Sequence, residues 1–540
     1  MIAGSGAGIG RRALIRAGVT ASLLRPALAA DRAPLASGTD FALDIGPVGT
    51  AIGINGMTPA PILRWCEGEI VTIAVTNRLH EPTSLHWHGI RTPSEMDGVP
   101  GFSFAGIAPG ATFVYRFPVQ QSGTYWYHSH SGYQEQRGLF GAIVVEPKDG
   151  YRYRFDRDYI VLLSDWTDED PATILSNLKF QSDYYNRGRR TLGMFVDDAR
   201  RRGLGATVAD RLAWGGMRMS PTDVLDVSGS VYSYRLNGLT VSDNWTALFR
   251  PGERVRLRFV NASAMSIFDV RFPGLPMTMV QADGNDIDPV TVDEFRIGNG
   301  ETYDAIVRPE ADRAFAIFAQ VEDRSGFVGG TLAPRLGMVA PMPAMDPRPL
   351  RTMADMGMAG MEHGEMADMA APTGVETGVA IDNVAVMPVD RLHEPGGGLE
   401  ANGRRVLTYA DLRSVRAGLD GRPPERDIVL HLTGNMQRYI WGINGKSFSE
   451  AEPIALRHGE RVRFTAINDT MMEHPLHLHG LWCELENGHG ERRPLKHTIL
   501  VKPGEGLSFL VTADMPGRWA LHCHLMFHMD LGMFREVRVS

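Results

Sequence analysis

Residues 522–533 read HCHLMFHMDLGM, three His, one Cys and three Met in twelve positions. Imidazole, thiolate and thioether side by side are a ligand set for a soft transition metal, copper above all. The run follows Gly517-Arg518-Trp519-Ala520-Leu521, a short apolar stretch of the kind that feeds a β-strand. Side chains on a strand alternate between faces, so His522 and His524 point one way and Cys523 the other. One tripeptide therefore offers ligands on both sides of a sheet. Cys523, His528 and Met533 supply a thiolate, an imidazole and a weak thioether. A second imidazole would complete a blue-copper electron-transfer centre, in which two His and a Cys hold the ion with a long axial Met. His522 and His524 are bonded along the chain to that thiolate, which gives electrons a covalent route onward.

A structural zinc site is the competing chemistry. It usually shows a Cys pair beside a His pair spaced by three to five residues. His524 and His528 have the second spacing, but the three Cys, at 66, 483 and 523, form no such pair. Three further His clusters, HWHG at 86–89, HSHSG at 128–132 and HPLHLHG at 474–480, are more than zinc needs.

The elements that must position these clusters repeat along the chain. The repeat runs Asn-Gly, then Gly-Glu, then an apolar strand closed by Asn. Its copies are Asn55-Gly56, Gly68-Glu69 and Asn77; Asn237-Gly238, Gly252-Glu253 and Asn261; and Asn444-Gly445, Gly459-Glu460 and Asn468. Three copies of one β-sandwich follow, and an all-β fold is predicted. Sixty Gly and 33 Pro suit such turn-rich architecture. Nine and eleven residues past the closing Asn stand His86 and His88 in the first copy and His477 and His479 in the third. The second copy has Val270 and Phe272 there. His128 and His130, and His522 and His524, occupy a second matching pair of positions, each starting five residues after a Gly. Eight imidazoles in four strand pairs can converge only if modules one and three face each other, which leaves module two as a spacer. The predicted bounds are 39–150, 151–340 and 381–540, with a Met-rich linker over 341–380. A charged, helical periodicity between residues 170 and 220 marks an insertion in the second module, read as a solvated face.

The chain of 540 residues carries a net charge of −8. No basic patch or motif points to nucleic acid. The first thirty residues hold four Arg and no acid, so their removal takes the charge to −12. Arg11-Arg12-Ala13-Leu14-Ile15-Arg16 fits a twin-arginine export signal, and Ala27-Leu28-Ala29 an A-x-A cleavage site. The apolar part is far short of a spanning helix. Export through the twin-arginine machinery to the bacterial periplasm is expected. Cys66 and Cys483 fall in different modules and are expected unpaired. Residues 342–369 hold eight of the 26 Met, together with His363 and no aromatic residue. Such a stretch builds no core. It is either a flexible linker or, because thioethers suit Cu(I), a copper-capturing segment.

The four His motifs, in this order, resemble those of the multicopper oxidases, over nearly the whole chain after the leader. The form that matches best is the periplasmic copper-resistance (CopA-type) oxidase. MDGVPGFSFAGIAPG at 96–110, NWTALFRPGERVRLRFVNASAM at 244–265, VDEFRIGNGETYDAIV at 292–307, the Met-rich run and the leader carry that match. The resemblance implies three cupredoxin-like sandwiches and four copper ions. The type 1 ion would take His474, Cys523 and His528, with Met533 axial. The type 2 ion would take His86 and His477. The type 3 pair would take His88, His128 and His524 on one ion and His130, His479 and His522 on the other. These are ten of the seventeen His, and the remaining seven, His363 excepted, are read as structural. Asp97, nine residues past His88, stands where similar oxidases keep a carboxylate near the three-ion cluster. It is the candidate for proton relay, against an ordinary turn Asp before Gly98.

The chemistry agrees with the resemblance. Reducing O2 to water takes four electrons, and one copper stores one. Met471 and Met472 precede the type 1 loop, and Met526, Met529 and Asp530 flank it. These favour Cu(I) as donor; core packing is the alternative for each Met. The expected activity is oxidation of Cu(I), and of phenols, at the expense of O2 in copper resistance, with periplasmic copper-resistance proteins as partners. A copper-sequestering protein and a phenol-oxidising laccase are the rival readings. A two-module nitrite reductase would not need HSHSG, and a scaffold that had lost its chemistry would have lost ligands.

Overall fold

The computed structural model describes residues 35–186, 188–357 and 378–540. The leader and the stretch 358–377, with His363 and the last four Met of the Met-rich run, lie outside the described residues.

Six sheets stack in three pairs. Each pair repeats one arrangement. Asp40–Val48 pairs in parallel with Ile70–Asn77, Arg157–Trp166 with Val255–Asn261, and Arg426–Asn435 with Arg461–Asn468. The repeat seen in the sequence has a structural cause in each copy. Asn55, Asn237 and Asn444 sit at φ 53, 50 and 51, each followed by a Gly at positive φ. Asn-Gly in that conformation is the tight hairpin turn whose twist matches paired strands. The closing Asn77, Asn261 and Asn468 are fully buried, and each side-chain amide donates to two backbone carbonyls. Each copy thus carries the same turn and the same buried polar clamp, as satisfied interior polar groups require.

Modules two and three share one continuous hydrophobic core, while module one has its own. Val270 and Phe272, where the outer modules carry His, are buried in the shared core. The helical insertion forms Pro171–Phe180, Leu192–Arg202 and Leu204–Met217. The first helix buries Ile174, Leu175 and Leu178, and the third buries Trp214, so only Leu192–Arg202 fits the solvated face expected of the whole insertion. The described part of the Met-rich segment is not a loose linker either. Asp346 pairs with Arg271 at 2.7 Å, Asp355 pairs with Arg391 at 2.7 Å, and Met356 joins the core. Buried ion pairs, invisible to a reading of composition, hold it down.

Candidate copper centres

Short antiparallel ladders aim the imidazoles. His86–His88 pairs with Gly123–His128, with His86 opposite His128. His474–Leu478 pairs with Gly517–Cys523, with His477 opposite His522 and Leu476 opposite Cys523. Strand alternation sends Trp87 into the core of module one and leaves its flanking His on the other face. The two ladders meet across the interface of modules one and three. Ring centres lie 3.9 Å apart for His86 and His479, 3.8 Å for His88 and His477, and 5.1 Å for both His128–His524 and His130–His522. Their nitrogens gather as His88, His128 and His524; as His130, His479 and His522; and as His86, His477 and His479. All are buried except His130, which is partly exposed.

Acceptors behind the rings fix their tautomers. His86 Nδ1 donates to the Asp97 carbonyl at 2.8 Å, and His479 Nδ1 to Asp97 Oδ2 at 2.9 Å. Asp97 is therefore not a mere turn residue: it is buried and bridges imidazoles from two modules. His477 Nδ1 donates to the His497 carbonyl at 2.6 Å, His522 Nδ1 to the Cys523 carbonyl at 2.9 Å, and His128 Nδ1 to Glu135 Oε2 at 2.6 Å. With these five Nδ1 protons engaged outward, the five Nε2 atoms present lone pairs inward, the orientation that outer partners impose on metal-binding His; Nδ1 of His88 and of His524 has no partner among the described residues. Among the described residues, Nε2 of His86, His88, His128, His130, His477 and His524 has no hydrogen-bond partner. His479 Nε2 and His522 Nε2 face each other at 3.0 Å.

The second cluster lies on the opposite face of the same strand. Cys523 Sγ is 3.5 Å from His474 Nδ1 and 3.8 Å from His528 Nδ1, and the two nitrogens are 3.2 Å apart. His474 Nε2 donates to Thr470 Oγ1 at 2.7 Å, and His528 Nε2 to Asp226 Oδ2 at 2.6 Å. Here too, lone pairs converge. Met533 is buried beside them, its carbonyl accepting from the Cys523 amide at 3.0 Å. Trp441 stacks on His528 with ring centres 3.8 Å apart.

Facing lone pairs at these separations repel unless a cation lies between them. Protons are a poor choice. Burial, reinforced by neighbouring imidazoles, holds His88, His128, His130, His474, His477, His479 and His524 well below the ordinary imidazole value. Burial takes His522 to about 3. Neutral imidazoles turned inward in threes suit a divalent or monovalent metal ion, and a His, His, Cys trio with a buried Met suits copper.

Multicopper oxidase family models match residues 38–150, 157–333 and 421–540. Copper resistance protein A of Pseudomonas syringae pv. tomato is 49% identical, the match covering 95% of each chain. The Escherichia coli protein of the same name is 49% identical over 97% of this chain and 96% of its own. The chain belongs to the multicopper oxidase family. The fold of this multicopper oxidase superposes on the crystal structure of Fet3p, a multicopper oxidase of iron import. The TM-score is 0.67 at 19% identity, over 94% of this chain and 91% of that one. It is thus an oxidoreductase that binds copper, and the two clusters are where its candidate His and Cys ligands collect.

Sequence reasoning missed three side chains of this oxidase that touch the clusters: Asp226 on His528, Glu135 on His128, and His497. Burial pushes the Glu135 carboxyl well up. His497, set aside as structural, groups its ring nitrogen with those of His88 and His477. The spacer reading of module two is also corrected. The module carries no imidazole, yet it supplies Asp226. Its Gly300 backbone roofs the nest of imidazoles between modules one and three so closely that a Cβ there would lie 2.9 Å from His88 Nε2. Its Arg296 reaches Glu473, next to His474, at 2.6 Å. Two cavities approach the nest. One of about 570 Å³ is lined by His130, Ser131, Gln134 and Glu81; another, of about 240 Å³, is lined by Trp482, Gln121 and Arg91.

Proposed function

We propose that the protein is a periplasmic oxidase of copper resistance that takes electrons singly from Cu(I), and from phenols, and delivers them in fours to O2. Export by the twin-arginine machinery and work beside other periplasmic copper-resistance proteins belong to this reading. What supports Cu(I) as donor is the near-full-length likeness to proteins named for copper resistance, together with buried Met436, Met471, Met472 and Met526 around the thiolate cluster. The residues fit four ions: His474, Cys523, His528 and Met533 on the first; His86 and His477 on the second; His88, His128 and His524 on the third; and His130, His479 and His522 on the fourth. Bound copper supplies one-electron storage at each position and an oxygen-binding face in the nest.

The chain's own residues do the rest. Asp226 accepts from His528 Nε2 and so holds that ring in place beside the thiolate. The backbone from Cys523 to His522 and His524 joins donor site and nest in one covalent step either way. The buried rings and the Gly300 roof exclude water from the nest, and the cavity at His130 leads to it. Asp97 accepts from His479 Nδ1 at its Oδ2 and from His86 Nδ1 at its carbonyl, which sets a carboxylate at the edge of the nest and suits it to relay protons inward.

The single observation that carries the proposal is the array of inward lone pairs between modules one and three, which nothing among the described residues satisfies for His86, His88, His128, His130, His477 and His524. The test is metal content with O2 consumption, assayed on Cu(I) and then on a phenol. Four ions per chain and faster turnover of Cu(I) are expected. Comparable phenol oxidation without added copper would make the protein a laccase. O2 uptake that survives deletion of 342–369 while cellular copper tolerance falls would favour sequestration.

A further inference from the structure

His497 is one of the few buried polar side chains near the nest without an assigned role. It is 2% exposed, and its Nε2 has no hydrogen-bond partner. Its backbone is fixed twice over. The amides of His497 and Thr498 both donate to Asp283 Oδ2 at 3.1 Å, and its carbonyl receives His477 Nδ1. Its Nδ1 lies 3.1 Å from Thr498 Oγ1. Its ring stands edge-on to His88, centres 4.9 Å apart, and to His477 at 5.8 Å. Gly89 makes the approach possible: at φ +81, a Cβ there would lie 2.4 Å from His497 Cδ2. One nitrogen from each of His88, His477 and His497 lies within the same 4.8 Å that gathers the other four ligand groups. His86 is not in this group, so these three nitrogens are a different set from His86 and His477, with His477 common to both. The ring centre of His497 also lies 5.9 Å from that of Trp482, which lines the 240 Å³ cavity.

We propose that His88, His477 and His497 form a further copper position at the cavity-facing edge of the nest, through which the ion of the His86–His477 site enters and leaves. His497 would offer its free Nε2 to an entering ion, His477 would share that ion, and His86 would take it over as His497 lets go. No electron transfer is involved, and His477 stays bonded throughout. The inference rests on the assignment of His86 and His477 to a copper ion.

The test uses the full-length holoprotein. The isolated ion is removed with a chelator under reducing conditions and restored with Cu(I); samples taken at intervals are reoxidised with O2, and the ion's return is read from the paramagnetic signal of the Cu(II) so formed. In His497→Ala and in His497→Gln, both removal and return should slow about tenfold, the scale of losses at such supporting positions. Final copper content, blue absorption and the restored signal should match wild type. Unchanged rates would overturn the proposal, and so would permanent loss of the ion, which marks a resident ligand rather than a stepping stone. Should neither variant fold, partly loaded wild-type crystals decide: copper scattering between His88, His477 and His497 at some stage is expected, and its absence at every stage refutes the position. A wild-type protein that never holds copper at His86 and His477 would sink the parent assignment instead.

Discussion

The outer modules and the middle one share a fold, a turn and a buried Asn clamp, and differ where the outer two carry His pairs on their strands. Where modules one and three place His86 and His88, and His477 and His479, module two places Val270 and Phe272 in its core. The outer pair thereby gain a polar face that neither can satisfy alone. Burying bare imidazole nitrogens without partners is costly. The two faces offset that cost only by closing on metal together. The middle module keeps an apolar strand and instead sends out carboxylate, arginine and bare backbone: Asp226 to His528, Arg296 to Glu473, Gly300 over His88. The candidate ligands come from the sandwiches that face each other, and their outer supports come largely from whatever packs behind.

The most damaging break in this division is at the thiolate. Cys523→Ser should abolish the intense blue absorption and all turnover with external donors, because the bridge between the two clusters runs through that residue. Retention of either would mean that the donor site lies elsewhere. Next comes the middle module's own contribution. Asp226→Asn keeps the shape but weakens the anchor of His528, and should lower the rate of electron uptake from Cu(I) about 10- to 100-fold. Reoxidation of the fully reduced protein by O2 should be unaffected, a split that stopped-flow absorbance can read.

Third, the metal-free protein should lose stability in acid, because the outer modules bury neutral imidazoles. A His whose folded pKa is depressed contributes its stability above the unfolded value of 6.5, and loses it as pH falls toward the folded value. For His522, held to about 3, the loss between pH 6.5 and 5 is about 2 kcal/mol at roughly 1.4 kcal/mol per unit. Urea unfolding of the apoprotein at pH 7 and pH 5 measures it. Copper loading should remove most of the difference, since bound metal competes with protons for the same lone pairs. The smallest effect is expected at Val270→His. It should add no copper, because no partner cluster faces that strand, and should cost about 1–3 kcal/mol for an unsatisfied buried ring. An extra ion in that variant would erase the distinction between the modules.

The ligand clusters were legible in the sequence because they are local: i, i+2 His pairs and a twelve-residue run state their own chemistry. The three-module architecture was legible because Asn-Gly turns and closing Asn recur with a fixed structural job. What surrounds the ligands was not. Asp226, Glu135 and Asp283 are single carboxylates in ordinary surroundings, and only tertiary packing brings them to His528, His128 and the His497 backbone. His497 has no second His two residues away. Met356 and Asp355 read as linker because the arginines that hold that stretch lie elsewhere in the chain.

The central claim is that modules one and three enclose three ions between them while a fourth sits on the opposite face at Cys523. Anomalous copper scattering from a crystal of the fully loaded protein tests it most directly. Three peaks among the eight paired imidazoles, one beside Cys523, His474 and His528, and none within module two are predicted. Fewer than three peaks in the nest, or any peak on the Val270 strand, would contradict the account.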